Sequence, residues 1–417
     1  MSKIIRFKGP HGIPFWFQKL HKDVMPVSLR WTVFVGSADD ERVGKPGLYH
    51  WFEHVPFRGT RKYPGGYQEI DLSVARHGGH IDASTTDVFS SFEAIASKHR
   101  WRQSFDVISD LVSAPLLRGK DIRAERDVIR QEIIGCHSEA GEYASDKIPG
   151  ILYPGHPLGH PILGSVRDLE AMSATTLRRA YHEGYDRSRM AFFAAGDIPE
   201  KELIQAFEKA AEKAPNHGLS ERRCGASYGH PPPWKAGEVS QEKTPFKSSI
   251  IYFLFSIPTG KDGIWPHLMA QEMLAAGELS SPLFAVLREE EGLVYDIDPV
   301  NSPYTEGGYW GFLAETSPRN TGYVIEAFWK AVRSRKARTR DRYNYVRDTV
   351  RGRRDTRLID PDKIVEGVQD CTSYLKEPLG INQVADRYLE QSFEKVTEVL
   401  DNLSPNIGRT IVFKGSK

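Results

Sequence analysis

The sequence predicts an α+β protein made of two similar domains, and its length, its alternating elements and a break near the middle all lead to this expectation. The chain has 417 residues, which is more than one hydrophobic core usually organises. Both halves alternate strand-like segments with segments of helical periodicity. Residues 216–240 are rich in proline and glycine, as linkers are. We therefore expect domains at residues 1–215 and 241–417, related by an ancient duplication.

The first half shows distinct strand and helix patterns. Residues 28–36 alternate and are rich in β-branched and aromatic side chains, which is typical of a strand. The first two strands should form a hairpin around Gly12. The predicted strands are residues 3–8, 12–19, 28–36, 87–97 and 190–196. The predicted helices are residues 46–55, 67–76, 99–113, 119–146, 170–182 and 200–213.

The second half repeats this mixture of elements. Residues 248–258 form a continuous apolar run of the length of a buried strand. Further strands are predicted at residues 293–299, 307–315 and 409–414. Helices are predicted at residues 265–276 and 281–290, and in series from 319 to 403.

The composition excludes several classes of protein. Hydrophobic residues make up 40% of the chain, charged residues make up 27%, and the formal net charge is +1, so whole-chain disorder is excluded. No apolar run approaches the roughly 20 residues that span a bilayer, and the N-terminus lacks the apolar stretch of a signal peptide. We expect a cytoplasmic protein without a membrane partner. Three widely spaced cysteines favour reduced, buried thiols: Cys136, Cys224 and Cys371.

Residues 333–357 are strongly basic and include two tyrosines, a composition that also occurs in nucleic-acid-binding segments. Three aspartates offset part of this charge: Asp341, Asp348 and Asp355. Because the net charge of the whole chain is near zero, we favour a solvated helix pair and do not expect a nucleic-acid partner. Attraction of acidic peptides to this face is an intermediate alternative.

The motif that carries the chemistry is H-x-x-E-H, at His50, Glu53 and His54. On a helix, residues three and four apart share one face, so both imidazoles and the carboxylate point to the same side. This order reverses the H-E-x-x-H zinc motif and still places a glutamate where it can act as a base. The alternative is an ordinary pair of surface histidines.

Catalytic zinc needs a third protein ligand besides these two histidines. The predicted helix at residues 119–146 offers Glu125, Glu132 and Glu139, which recur every seven residues and form one acidic stripe. A solvated helix face has the same appearance, and the spacing alone does not choose among the three glutamates.

Five segments extend the pattern beyond the motif. They are GLYHWFEHVPFRGTRKYP, GGHIDASTTDVFSSFEAI, ERDVIRQEI, YPGHPLGHPILG and SSPLFAVLREEEGLVYDI. In this order and spacing the chain resembles the pitrilysin/insulinase family, in its branch of two-domain subunits similar to mitochondrial processing peptidase, over most of its length. The resemblance implies two α/β-sandwich domains, each a mixed or antiparallel sheet with helices on one face, which together form half of a clamshell.

The resemblance also implies roles for particular residues. It makes His50, His54 and Glu132 the ligands of one Zn²⁺ per chain. It makes Glu53 the general base and Glu125 a support of the site from the outer shell.

Substrate contacts follow from the same resemblance. It implies that Arg288 and Tyr295 bind substrate and steady the developing oxyanion. It further implies that an unfolded peptide lies extended beside the strand at Asp82, Ala83 and Ser84 while its peptide bond is hydrolysed.

Two residues depart from the family's pattern. Pro56 disfavours the α conformation at Val55, so we expect the zinc helix to end right after His54. Asp82 stands where the family usually has an asparagine, and an ionised carboxylate cannot donate the hydrogen bond that an amide donates. Neither change removes a ligand.

The family's active chamber needs four homologous domains, and this chain offers two. The resemblance therefore implies a second subunit, most simply a second copy in a homodimer with two equivalent sites. A heterodimer with a homologous subunit is the alternative for the partner. A non-catalytic subunit that keeps the fold is the alternative for the function.

Overall fold

The computed structural model describes residues 3–219, 225, 228–232 and 234–416 of the chain. Its internal contacts divide the chain into two compact units. Unit 1 comprises Met1–Gly135, Pro149–Tyr228 and Arg357–Gly380, and unit 2 comprises Cys136–Ile148, Gly229–Thr356 and Ile381–Lys417. Within the described residues each unit holds one β-sheet and several helices, which confirms the predicted α+β fold with two similar parts.

In the part of the chain that the structure describes, the sheet of unit 1 has six strands. They are β1 (Lys3–Lys8), β2 (Pro14–Lys19), β3 (Pro26–Val33), β4 (His80–Thr85), β5 (Ser90–Ser97) and β6 (Met190–Gly196). Their order is β1-β2-β6-β3-β5-β4, so β1 and β4 are the two edges. β1 and β2 form the expected hairpin, and Gly12 has a positive φ of 73° in its turn. Only β2 and β6 run parallel; the other neighbouring pairs are antiparallel.

Most helices of unit 1 pack on one face of this sheet. The helices in the first half of the chain are α1 (Asp40–Val43), α2 (Leu48–His54), α3 (Tyr67–Ala75), α4 (Trp101–Ser113), α5 (Gly119–Cys136), α6 (Ala140–Leu152), α7 (Val166–Ala171), α8 (Ala174–Gly184) and α9 (Glu200–Lys213). Beneath them lies an aromatic core, in which the ring centroid of Trp31 is 5.2 Å from that of Phe192 and 5.8 Å from that of Phe207. These rings anchor the helical layer on the sheet.

The prediction of one continuous helix over residues 119–146 is wrong. The chain forms α5 and α6, and residues 137–139 separate them. Gly135, Ser138 and Gly141 are weak helix formers at this break. Glu139 therefore lies outside the helix that carries Glu125 and Glu132.

The described residues of unit 2 form a five-stranded sheet. Its strands are β7 (Val239–Lys243), β8 (Ser249–Ile257), β9 (Ile297–Tyr304), β10 (Gly307–Thr316) and β11 (Arg409–Lys414), in the order β7-β11-β8-β10-β9. The helices in the second half of the chain are α10 (Lys261–Ala275), α11 (Pro282–Phe284), α12 (Thr321–Val332), α13 (Arg340–Arg357), α14 (Pro361–Leu375), α15 (Ile381–Leu389) and α16 (Phe393–Asn402).

Two predicted elements of the second half differ in the structure. The helix expected at residues 281–290 is α11 followed by a π-helical segment, Ala285–Glu290. The strand expected at residues 293–299 begins only at Ile297. The reason is that the N–H of Leu293 donates to the carbonyl oxygen of Leu287 (2.8 Å) and closes the preceding helix instead of pairing with a strand.

Unit 1 also contains a helix from the second half of the chain, α14. It packs on the sheet face opposite to the other helices. Arg30 on β3 is almost fully buried there, with Nη1 donating to Gln369 Oε1 and Nη2 donating to Asp362 Oδ1, both at 2.8 Å. Its Nε pairs with Glu93 Oε2 at 2.8 Å. The helix therefore completes unit 1 with a buried polar network.

Unit 2 is completed in the reciprocal way, by residues 136–148 from the first half of the chain. The ring of Tyr143 on α6 lies 6.1 Å from that of Phe413 on β11 and 5.5 Å from that of Phe246. A single division of the chain at residues 216–240 does not describe this arrangement, because each half of the chain contributes a segment to the other unit. The core of each unit draws on both halves because each sheet has a second face that must be covered.

The expected linker is described only in part. Its end contributes the start of β7 at Val239, whereas Cys224 and Pro233 lie outside the described residues. Within the described residues, Cys136 and Cys371 are not joined in a disulfide. No helix in the described part of the chain is both long and apolar enough to cross a membrane.

The arginines of the basic segment are largely engaged within unit 2. Arg342 donates to the carbonyl oxygens of Glu272, Met273 and Ala276 and so caps the C-terminal end of α10. Arg353 makes a two-pronged ion pair with the carboxylate of Glu272. These contacts favour the interpretation of the segment as structural helix over that of a nucleic-acid surface.

Candidate metal centre

The helix that carries the H-x-x-E-H motif is held at its start by a buried carboxylate. Asp40 accepts hydrogen bonds from the backbone N–H of Gly47 (2.7 Å) and of Tyr49 (2.9 Å) at the N-terminus of α2. Burial raises the pKa of Asp40 well above its ordinary value, and these backbone donors oppose that rise. Gly47 has a φ of +88°, and a Cβ there would lie 2.4 Å from the carbonyl oxygen of Leu163. The entry of the helix is thus fixed by close backbone packing.

The end of α2 was predicted correctly but for the wrong reason. The helix ends at His54, and residues 55–58 continue as a 3₁₀ turn. Val55 nevertheless keeps helical angles, φ −61° and ψ −37°. The change in winding agrees better with the N–H that Pro56 lacks, which removes one hydrogen bond of the α-helix.

Three side chains converge where the sequence predicted ligands. His50 Nε2 lies 3.4 Å from Glu132 Oε1, and His54 Nε2 lies 3.6 Å from Glu132 Oε2. One potential ligand atom from each residue lies within 4.8 Å of the others. Ligand atoms about 2.0–2.2 Å from a tetrahedral zinc ion are roughly 3.3–3.6 Å apart, so this donor set fits zinc in both chemistry and spacing.

The orientation of His54 is set by Glu125, which is completely buried. Glu125 Oε1 lies 3.1 Å from His54 Nδ1, and its Oε2 accepts a hydrogen bond from Arg58 Nε. Burial alone would raise the pKa of Glu125, but the hydrogen bonds from His54 and Arg58 hold it below its usual range. An ionised carboxylate only accepts, so Nδ1 of His54 carries the proton and Nε2 is free to bind a metal.

Glu53 lies beside these residues in a buried position. Burial raises the pKa of its carboxyl, while the neighbouring His50 and Thr85 act in the opposite direction. Within the described part of the chain, Glu53 Oε2 and His50 Nδ1 are buried without a hydrogen-bond partner. A carboxylate with a raised pKa next to a metal site is suited to take up a proton.

A cleft of about 380 Å³ opens over the three converging side chains. Asp82 and Ala83 of β4 line it, as does Glu132, whereas Ser84 does not belong to its lining. Its lining also includes residues that the sequence did not suggest: Phe57, Tyr67, Ile70, Asp71 and Ile81. The sequence predicted a helix at residues 67–76, which is α3. No pattern in the sequence showed that this helix would lie beside the two histidines.

Arg288 and Tyr295 lie next to one another in unit 2. The guanidinium of Arg288 is 4.7 Å from the ring centroid of Tyr295 and 4.7 Å from that of Phe284. Tyr295 is 80% exposed, which leaves its hydroxyl accessible. The arginine is therefore oriented by cation–π contacts on both sides.

Comparisons with known proteins found relatives that are named as zinc proteases and as peptidase subunits. An uncharacterized zinc protease of Streptomyces coelicolor is 27% identical over 76% of this chain and 72% of its own length. The mitochondrial-processing peptidase subunit beta of Saccharomyces cerevisiae is 24% identical over 71% of this chain and 66% of its own. A protease structure from Helicobacter pylori superposes with a TM-score of 0.86 at 15% identity, covering 99% of this chain and 100% of that one.

Pitrilysin superposes with a TM-score of 0.73 at 18% identity, and the match covers 99% of this chain but 45% of pitrilysin. These two structural likenesses show the fold. Residues 22–166 match the family described as Insulinase (Peptidase family M16), and residues 171–348 match that described as Peptidase M16 inactive domain. The chain belongs to the insulinase family of peptidases, family M16.

Proposed function

We propose that this chain is a zinc metalloendopeptidase that hydrolyses unfolded peptides or oligopeptides within a chamber formed by two subunits. One observation carries the proposal: two imidazole nitrogens and a carboxylate oxygen converge within 4.8 Å beside a buried glutamate. His50, His54 and Glu132 would hold one zinc ion per chain. The relatives named zinc proteases support this choice of metal.

The reaction assigns separate tasks to the residues of the cleft. A zinc ion bound here would polarise the scissile carbonyl and acidify a water molecule. Glu53 takes the proton of the attacking water and passes it to the leaving amine. Glu125 keeps His54 in the tautomer that leaves Nε2 unprotonated.

The substrate adds a strand to the free edge of β4. The Thr86 N–H donates to the Phe89 carbonyl oxygen (2.8 Å) where β4 turns into β5, so alternate residues of β4 pair with β5 and the Ala83 N–H points to the free edge. The Asp82 side chain accepts that N–H at 2.9 Å. The opposite edge strand β1 carries three basic residues, and the edge strand β9 of unit 2 carries Pro299 and Pro303. Lysines and prolines in particular protect an edge from pairing, and β4 has neither, although it carries the carboxylate of Asp82. Backbone pairing favours extended peptides of varied sequence.

The second subunit is most simply another copy of the chain, in a cytoplasmic homodimer. This chain spans less than half of pitrilysin, and the yeast relative is named as a subunit of a peptidase, which supports a partner. In the dimer, Arg288 and Tyr295 of each copy steady the oxyanion at the other copy's site. A heterodimer with a homologous subunit would use the same arrangement, and sizing of the purified chain separates the two.

A non-catalytic subunit is the competing function. Its support is the match of residues 171–348 to a family described as an inactive domain. That match covers the half without the converging ligands, and the intact donor set in the other half argues against it.

The test is a Glu53→Gln variant assayed on a mixed peptide pool. We expect zinc content to stay near one per chain and hydrolysis to fall by about 10²- to 10⁴-fold, because only the base is lost. Glu208→Gln, on an exposed position of α9, is the matched control and should keep full activity. Full hydrolysis by zinc-loaded Glu53→Gln would contradict the assigned base. A zinc-loaded wild-type dimer without any hydrolysis would favour the non-catalytic alternative.

A further inference from the structure

We propose that Arg58 is a positioning residue for the metal ligand His54 and that it acts through Glu125. The inference rests on the proposed zinc site, because it concerns how tightly that site binds its ion. Arg58 is the last residue of the 3₁₀ turn that follows the motif helix, four positions after His54.

The contacts around Glu125 carry the inference. Its carboxylate is fully buried and lies among three hydrogen-bonding groups: His54 Nδ1 at 3.1 Å, the Tyr67 hydroxyl at 3.4 Å and Arg58 Nε. Among these, Arg58 alone contacts Oε2 and supplies a permanent positive charge. Removing such a partner from a buried carboxylate leaves an uncompensated charge, which the structure must relieve by movement or by protonation.

Arg58 is itself held in place from several sides. Its guanidinium lies 5.3 Å from the ring centroid of Tyr67, which stacks on Phe57 at 5.6 Å. Its carbonyl oxygen accepts a hydrogen bond from Arg118 Nη2 (2.8 Å). A Cβ at Gly66 would lie 2.7 Å from that same oxygen, so the neighbouring chain packs directly against it. The turn is therefore rigid enough to set the position of Glu125.

The two histidines differ in how this chain orients them. Nδ1 of His54 has the Arg58-braced carboxylate as its partner, whereas Nδ1 of His50 has no hydrogen-bond partner in the described part of the chain. Outer partners of this kind change metal affinity by about 10- to 100-fold when they are removed. The orientation of the His54 imidazole therefore depends on residues outside the motif.

The direction of the change in Zn²⁺ affinity distinguishes a positioning role of Arg58 from a simple effect of its charge. Arg58 is cationic, so through-space repulsion alone predicts that Zn²⁺ binds more tightly when its charge is removed. Positioning through Glu125 predicts the opposite, weaker binding. A single affinity measurement on Arg58→Met therefore distinguishes the two.

The experiment measures Zn²⁺ affinity of the purified full chain by competition with a chromogenic chelator. We expect Arg58→Met to bind Zn²⁺ about 10- to 100-fold more weakly than wild type. In a Glu125→Gln background we expect the same change to have little further effect, because its route of action is gone. The double variant also removes both charges together, which keeps the fold testable if Arg58→Met alone is unstable. Arg130→Met on α5 is the control and should bind as wild type does. Arg130 is half-exposed and makes a long ion pair with Glu170 at 3.9 Å.

The possible outcomes distinguish a failure of the positioning role from a failure of the proposed zinc site. If wild type binds no Zn²⁺, the metal site itself is refuted. If wild type binds Zn²⁺ and Arg58→Met binds as tightly or more tightly, the positioning role alone is overturned. An equal loss for Arg58→Met in the wild-type and the Glu125→Gln backgrounds would also overturn it, since Arg58 would then act by another route.

Discussion

At the residue scale, the chemistry of the cleft depends on which atoms of each carboxylate are already occupied. Glu125 and Glu132 are seven residues apart on α5, and their spacing did not distinguish them. In the structure both oxygens of Glu125 are taken up by His54 Nδ1 and Arg58, whereas those of Glu132 face the Nε2 atoms of the two histidines. The motif alone predicted the shared face of His50 and His54. The partner on a distant helix depends on tertiary packing, so only the family resemblance indicated it.

Asp82 offers a prediction at this scale. Its Oδ1 accepts the Ala83 N–H, a donor that an added substrate strand would use. We expect Asp82→Asn to raise kcat/KM for an extended peptide by about two- to tenfold, because a neutral amide competes less strongly for that N–H. Steady-state kinetics on one peptide checks it. Asp71→Asn removes a charge from the same cleft but lies on α3, so an equal gain there would mean that charge, not the strand edge, is responsible.

At the scale of elements, local patterns predicted most strands and helices, and they failed where backbone groups have non-local partners. β6 and α9 occupy the predicted residues, and β1 completes the expected hairpin. The segment before β9 was predicted to belong to a strand that starts at residue 293. Its backbone instead closes a helix, and Thr316 Oγ1 donates to the Leu293 carbonyl oxygen at 2.6 Å. A pattern of side chains does not reveal such use of the backbone.

The helix α14 carries a titratable group with a strongly shifted pKa. Burial and the nearby charge of Glu366 raise the pKa of Asp370 to about 7, although Arg30 opposes the shift. The folded state therefore holds this proton more tightly than the unfolded state. The stability that the protonated form contributes is complete below about pH 4 and is lost as the pH rises through about 7.

Asp370→Asn removes this titration. The quantity of interest is the unfolding free energy of the variant minus that of wild type. We expect this difference to be about 2–4 kcal/mol larger at pH 8 than at pH 4. Denaturant unfolding of both proteins at the two pH values measures the difference. A gap between variant and wild type that does not change with pH would contradict the assignment.

At the scale of the whole molecule, the two units exchange helices between the halves of the sequence. α14 covers the face of the unit 1 sheet that is opposite to the other helices of this unit, and residues 136–148 pack in unit 2. Alternation in β3 indicated a strand but could not show that Arg30 faces a helix more than 300 residues away in sequence. The expected domains at residues 1–215 and 241–417 therefore remain a prediction about an ancient duplication. Because of the exchange, we do not expect either of them to fold independently.

This exchange predicts how a fragment behaves. Residues 1–215 alone lack α14, which leaves Arg30 and its neighbours on β3 uncovered. We expect no cooperative thermal unfolding from this fragment, and recovery of a cooperative transition when residues 357–380 are joined to it by a flexible linker. Calorimetry compares the two. A fragment that melts as cooperatively as the full chain would contradict the role given to α14.

The most direct measurement is zinc K-edge X-ray absorption of the purified, zinc-loaded chain, with metal content determined on the same sample. We expect one zinc per chain, bound by two imidazole nitrogens and a carboxylate oxygen at about 2.0–2.2 Å. In Glu132→Ala we expect this signature to be lost, because the third ligand is gone. A chain that binds no zinc, or zinc whose ligands are unchanged in Glu132→Ala, would contradict the account.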